Sequence, residues 1–136
     1  MTEKPFHLEI VTPKKIVLRA DVSSFTAPGI LGGFQVLHNH APFLSSVGIG
    51  EVKVIDEGGA ETRFATSGGF VEVRENKVVM LAETAEPADQ IDVKRAEAAR
   101  DRARKRLESK AAELDLDRAK AALQRALNRL KIARNR

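Results

Sequence analysis

Cysteine is missing from the 136 residues, as are tryptophan and tyrosine, and six phenylalanines make up the whole Phe/Trp/Tyr set. Without cysteine, disulfides and thiolate metal sites are excluded. No apolar run approaches the roughly 18 to 20 residues that a membrane-spanning helix needs. The N-terminal MTEKPFHLEI lacks the charged-then-apolar form of a signal peptide. A soluble, cytoplasmic protein is the expectation. Catalytic patterns are scarce too. Ser23-Ser24, Ser45-Ser46 and the scattered carboxylates form no triad or acid pair. Pro28-Gly29-Ile30-Leu31-Gly32-Gly33 leads into an extended segment, whereas a phosphate loop follows a strand and opens a helix. His38 and His40 stand two apart with no third ligand nearby, fewer than a zinc site uses, and read as loop histidines. Nothing argues for catalysis by this chain, and no metal or required cofactor is expected.

What the chain does have is an uneven charge. The net +4 divides into 8 Lys+Arg against 11 Asp+Glu up to Pro87 (−3), and 15 against 8 from Ala88 onward (+7). A mildly acidic front and a basic back suggest two modules, residues 1–87 and 88–136, with different partners.

The front module reads at period two. Phe6, Leu8 and Ile10 alternate with His7 and Glu9; Val52 and Val54 alternate with Glu51 and Lys53. Thr62, Phe64 and Thr66, then Val71 and Val73, continue the pattern. Such alternation marks strands with one buried face. Turn signals fall at Thr12-Pro13, Pro28-Gly29, 56–59, 67–69 and Glu75-Asn76. Short strands at that spacing predict an antiparallel β-sandwich or barrel. Gly68-Gly69 inside a strand-like run predicts a bulge or a close backbone approach.

Beyond Pro87 the period changes to about 3.6. Asp92 is placed to cap a helix whose one face carries Ala96, Ala99, Ala103 and Leu107. A second helix is expected from about Asp115, with Leu116, Ala119, Leu123, Ala126 or Leu127, and Leu130 on one face. The turn between them is expected around Ser109 to Leu114. Two helices with a short link predict an antiparallel hairpin. Burying an alanine methyl gains about 0.8 kcal/mol, against about 1.5 to 3 for a leucine. An alanine-lined hairpin is therefore expected to dock loosely, and it suits a moving element as well as it suits a plain stable hairpin.

Asp92, Arg95, Arg102 and Arg106 share one face of the first helix, and Arg125 and Arg129 share a face of the second. Planar guanidiniums suit polyphosphate. By spacing alone they read equally as solvated charges with acidic partners. Nucleic-acid binding is disfavoured, because the basic module has no aromatic for base stacking and its eight carboxylates interrupt the positive face.

These residues, in this order, resemble the epsilon subunit of F-type ATP synthases (delta in mitochondria). Pro28-Gly29, 32–37 and His40-Ala41-Pro42-Phe43-Leu44 are similar to the family's G-x-x-G-x-F-x-V-L-x-x-H-A-P-L-L stretch, continued by Gly50-Glu51-Val52. Ser67-Gly68-Gly69-Phe70-Val71-Glu72-Val73, Asn76 and Leu81-Ala82-Glu83 resemble a second signature. Ile91-Asp92 with Arg95-Ala96 resembles the I/L-D-x-x-R-A helix start, and Ala126, Arg129-Leu130 and Ile132-Ala133 the final helix. The resemblance covers nearly the whole chain.

It implies a non-catalytic subunit at the foot of the rotor stalk, on gamma and the c-subunit ring, peripheral to the cytoplasmic face of the bacterial membrane through the complex. The sandwich would be the docking module. The hairpin would lie folded or extend along gamma toward the alpha and beta subunits, restraining ATP hydrolysis. The resemblance implies contacts to the catalytic head from Arg118, Arg125, Arg129 and Arg134. It also implies an ATP site on the folded hairpin at Glu86, Ile91, Asp92, Arg95, Arg102, Arg125 and Arg129, with magnesium left open. His38 replaces a usual proline and Gly33 a common glutamate, both in the stretch that members turn toward the c ring. A stand-alone nucleotide sensor and a basic nucleic-acid-binding hairpin are the competing readings.

Overall fold

The computed structural model describes residues 4–109 and 113–135. Seven strands come first: β1 (Phe6–Val11), β2 (Ile16–Ala27), β3 (Phe34–Val36), β4 (Phe43–Val47), β5 (Gly50–Asp56), β6 (Glu61–Arg74) and β7 (Lys77–Pro87). A single 3-10 turn, Ala88–Gln90, leads into α1 (Val93–Glu108) and α2 (Glu113–Arg134). The period-two segments are strands, and the period-3.6 segments are helices.

The strands connect in the order β1-β7-β6-β5-β2-β3, β4 joins β6, and β1 also pairs with β2. That last pairing closes the sheet on itself, and the long strands β2, β6 and β7 pass from one layer of the sandwich to the other. The pairings are antiparallel apart from β1 with β7, which is parallel from His7↔Lys77 to Val11↔Leu81. The sandwich is antiparallel as expected, and one parallel pair is required because β1, β7, β6, β5 and β2 close a ring of five strands, which cannot alternate direction all the way round. Phe6, Leu8, Ile10, Phe25, Val52, Val71, Val73 and Met80 form the interior, together with further valines.

The expected turn at 67–69 is instead a bulge within the continuous strand β6, as Gly68-Gly69 suggested. The β6–β7 register shifts between Thr66 and Gly68 and again between Gly68 and Gly69. Both glycines have positive φ, 129° and 147°. Buried Thr66 stitches the bulge: its hydroxyl donates to the Thr84 carbonyl at 2.8 Å and accepts from the Gly68 N–H at 3.2 Å. Bulges bend strands and raise local twist, and this one lets β6 serve β5 with one half and β4 with the other.

Asp92 caps α1 as expected, its carboxylate accepting from the Arg95 N–H at 3.1 Å. Ala96 and Ala103 are buried on the inner face, Ala99 and Leu107 partly so. In α2, Ala119, Ala126 and Leu130 are buried, while Leu127 is 42 % exposed. α2 begins at Glu113, two residues before the expected Asp115. Half of the expected interhelical turn, 110–112, lies outside the described residues. The helices run antiparallel, since the C-terminal end of α2 meets the start of α1: Ile132 and Ala133 cluster with Ala65, Ala88 and Ile91.

Candidate functional site

A cleft of about 420 Å³ opens where the sandwich meets the start of the hairpin. Its walls come from four places. The end of β7 supplies Glu83 to Pro87, the 3-10 turn with the cap and first turn of α1 supplies Gln90, Asp92, Arg95 and Ala96, and α2 supplies Arg129. The β1–β2 turn, Thr12 to Lys15, closes the remaining side with Val17.

The local folding of each wall is accountable. Pro87 ends the extended run, since its fixed φ of −58° suits the entry to the following 3-10 turn. Asp92 holds the first turn of α1, so Arg95 and Ala96 face the cleft one turn later. Arg129 reaches it from α2 and meets Glu86, its Nε 3.6 Å from the carboxylate. A neighbouring bond, from the Asn128 amide to the Gly50 carbonyl at 2.8 Å, ties α2 to the start of β5.

The residues implied by the resemblance are not all brought together. Glu86, Asp92, Arg95 and Arg129 line the cleft. Ile91 is 4 % exposed and belongs to the apolar cluster behind it. Arg125 lines a separate crevice with Thr66, Ser67, Thr84, Asn128 and Arg129. Arg102 is exposed on α1, seven residues and so about 10 Å along the axis from Arg95. Of the arginines implied for the catalytic head, Arg118 and Arg134 are exposed, whereas Arg125 and Arg129 are half-buried against the sandwich. No pattern in the sequence singles out Lys14 and Lys15. Their approach to the cleft depends on the parallel β1–β7 register, which no local pattern encodes.

The histidines have structural partners. His38 Nδ1 donates to the Pro5 carbonyl at 2.9 Å, and His40 Nδ1 to the Ala41 carbonyl at 2.7 Å. A carbonyl can only accept, so each Nδ1 carries the hydrogen. Elsewhere the sandwich exposes apolar side chains: Ile30, Leu31 and Leu37 around β3, Leu44 on β4, and the cross-strand neighbours Phe70 and Leu81.

Comparison with known proteins joins these parts. A family model described as the ATP synthase delta/epsilon chain beta-sandwich domain matches residues 5–88, and one described as its long alpha-helix domain matches 89–134. An ATP synthase epsilon chain from Pelotomaculum thermopropionicum is 55% identical over 133 residues, covering 98% of each chain. That of Desulforamulus reducens is 46% identical over 130 residues, covering 96% of this chain and 98% of the relative. A chain in the Euglena gracilis mitochondrial ATP synthase shares the fold, with a TM-score of 0.80 at 24% identity over 91% of this chain and 78% of that one. A chain in the central stalk and c-ring structure of the Tetrahymena thermophila enzyme has a TM-score of 0.65 at 17% identity, covering 98% and 99%. With both modules matched in order and relatives near half identical along almost their entire length, this chain belongs to the ATP synthase delta/epsilon family and is an epsilon subunit of an F-type enzyme.

Proposed function

We propose that the chain couples the catalytic head to the c ring through gamma, and that its hairpin restrains ATP hydrolysis by leaving the sandwich and extending toward the head. It does no chemistry itself. The contrast between two apolar interiors carries this reading. The sandwich is held by phenylalanine, leucine, isoleucine, methionine and many valines. The hairpin is held to it by Ile91, Ile132 and three alanines, with Val93 partly buried alongside. Undocking therefore exposes little apolar area and leaves the sandwich interior whole. Extension would also free Arg125 and Arg129 to join Arg118 and Arg134 in meeting an acidic surface of the beta subunit. The apolar side chains on the sandwich suit docking on gamma and the c ring. Among the described residues no helix is long and apolar enough to cross a membrane, which agrees with peripheral attachment at the cytoplasmic face through the complex.

The cleft suits ATP as a ligand of the folded form. Its volume lies within the range of small-molecule sites. Arg95 and Arg129 offer forked donors to phosphate, and Glu86, Asp92 and Gln90 offer acceptors to amine and hydroxyl groups. A ligand that touches both modules only when they are docked shifts the equilibrium toward docking by its differential affinity. Calorimetry with ATP checks this. The parent should bind, and Arg95→Ala should weaken binding by about tenfold or more. Asp92→Ala should weaken it too, through loss of the cap. Equal heats from all three proteins would remove the cleft as the site, and failure to co-purify with gamma would remove the coupling role.

A further inference from the structure

Resting on that nucleotide reading, we propose that the Thr12–Lys15 turn is a working part of the anion site. Lys14 and Lys15 hold the phosphate tail from the sandwich side, so one bound polyphosphate cross-links the β1–β2 turn to both helices.

The turn is built to hold its shape. The Thr12 N–H donates to the Lys15 carbonyl at 2.9 Å. The Thr12 hydroxyl donates to that same carbonyl at 3.2 Å and accepts from the Lys15 N–H at 3.3 Å. Pro13 fixes φ at the position after Thr12, where β-turns favour it. The backbone carrying the two lysines is thus fixed before any ligand arrives, which lowers the ordering cost of binding. The strand register then sets its location. β1 runs parallel to β7 as far as Val11↔Leu81, so the turn that follows comes level with Glu83 and the strand end leading to Glu86.

Charge bookkeeping in the cleft points to an anion. Lys14, Lys15, Arg95 and Arg129 line it, against Glu83, Glu86 and Asp92. Of the four cations only Arg129 has a carboxylate within 4.0 Å among the described residues, namely Glu86 at 3.6 Å. Cations from the sandwich and from the hairpin thus line one cleft, and an anion lodged there is attracted by both sides. A guanidinium from one wall and ammonium groups from the other suit a chain of phosphates, since lysine binds phosphate as a point charge and arginine as a fork. Adenosine alone carries no charge for the turn to hold. The lysines should therefore discriminate by phosphate number, and binding by them should favour the docked hairpin.

The experiment titrates the full-length chain with ATP, AMP, adenosine and inorganic tripolyphosphate, at two salt concentrations. It compares the parent with the Lys14→Ala/Lys15→Ala double variant, the Lys14→Arg/Lys15→Arg variant and Arg95→Ala. The alanine pair should lose about tenfold in affinity for ATP and tripolyphosphate and show a weaker salt dependence, as befits two partly solvated contacts. Its affinity for adenosine and its melting temperature without ligand should match the parent, and the arginine pair should retain ATP binding. ATP affinity and salt dependence equal to the parent in the alanine pair, beside clear loss in Arg95→Ala, would overturn the role of the turn and leave the nucleotide reading intact. A parent that binds none of these ligands would overturn both.

Discussion

Single side chains in this molecule act mainly by fixing where something else sits. Asp92 starts a helix, and it is legible because a capping residue needs only its neighbours in sequence. Arg95, four residues before Ala99 and one turn beyond the cap, is legible for the same reason. Lys14 and Lys15 are not, because their closeness to Arg95 depends on a strand pairing across the whole sandwich. Glu9 illustrates a charge effect at this scale. A His7 ring N–H bond holds its carboxyl below the usual 4.5, burial opposes the shift, and the charges of Lys77 and Arg19 reinforce it. A carboxyl lowered in the folded state contributes stability above its unfolded value, and that contribution is lost as pH falls through the lower folded value. Urea midpoints measured from about pH 6 to about pH 3 should fall in the parent. They should fall less steeply in Glu9→Gln, with the difference confined to the range below pH 4.5. Parallel curves would show that Glu9 is not linked to folding.

Elements show where sequence patterns suffice and where they stop. The alternation of Phe6, Leu8 and Ile10 or of Val52 and Val54 reports a buried face, so strand identity is readable. β2 is less so: only Val22, Ser24, Phe25 and Ala27 are buried along its 12 residues, because the strand changes layers midway. The two glycines in β6 are a local signal with a global cause. A Cβ at Gly69 would strike the Leu81 carbonyl oxygen and come within 2.9 Å of Ala82 Cα, in a backbone at φ 147° that side chains avoid. Gly69→Ala should therefore cost on the order of 2–4 kcal/mol of global stability, read as a lower urea midpoint at unchanged slope. A loss below about 0.5 kcal/mol would mean the bulge relaxes freely. Ile132, fully buried where α2 meets the sandwich, tests the opposite kind of element. Ile132→Ala should weaken docking by about 2–4 kcal/mol. Amide exchange should then speed up in α1 and α2 while the β6 and β7 core stays as protected as before. Equal acceleration in both would mean that hairpin and sandwich unfold as one unit.

At the scale of the whole molecule, the family assignment and the geometry meet in one question: whether the hairpin is a brake that the sandwich stores. The two interiors are separate clusters, and the bonds that cross between modules include one side-chain amide to a carbonyl, Asn128 to Gly50, and one ion pair, Arg129 with Glu86. An ion pair that is about a third exposed contributes little, about 0 to 1 kcal/mol. Docking thus depends on a few apolar contacts and, on the reading above, on a ligand that spans the cleft. Ending the chain at Pro87 removes the hairpin and uncovers Ala65 alone of the β6 residues in the docking cluster. The shortened protein should therefore fold, melt cooperatively and still co-purify with gamma. ATP hydrolysis by an enzyme reassembled with it should rise severalfold over one carrying the full chain, and added ATP should no longer change the exchange behaviour of the subunit. A hydrolysis rate equal to that with the full chain would place the brake elsewhere in the complex. Helices as protected from exchange as the sheet core, with and without nucleotide, would show that the hairpin never leaves, since a device that must swing out has to open more readily than the platform to which it returns.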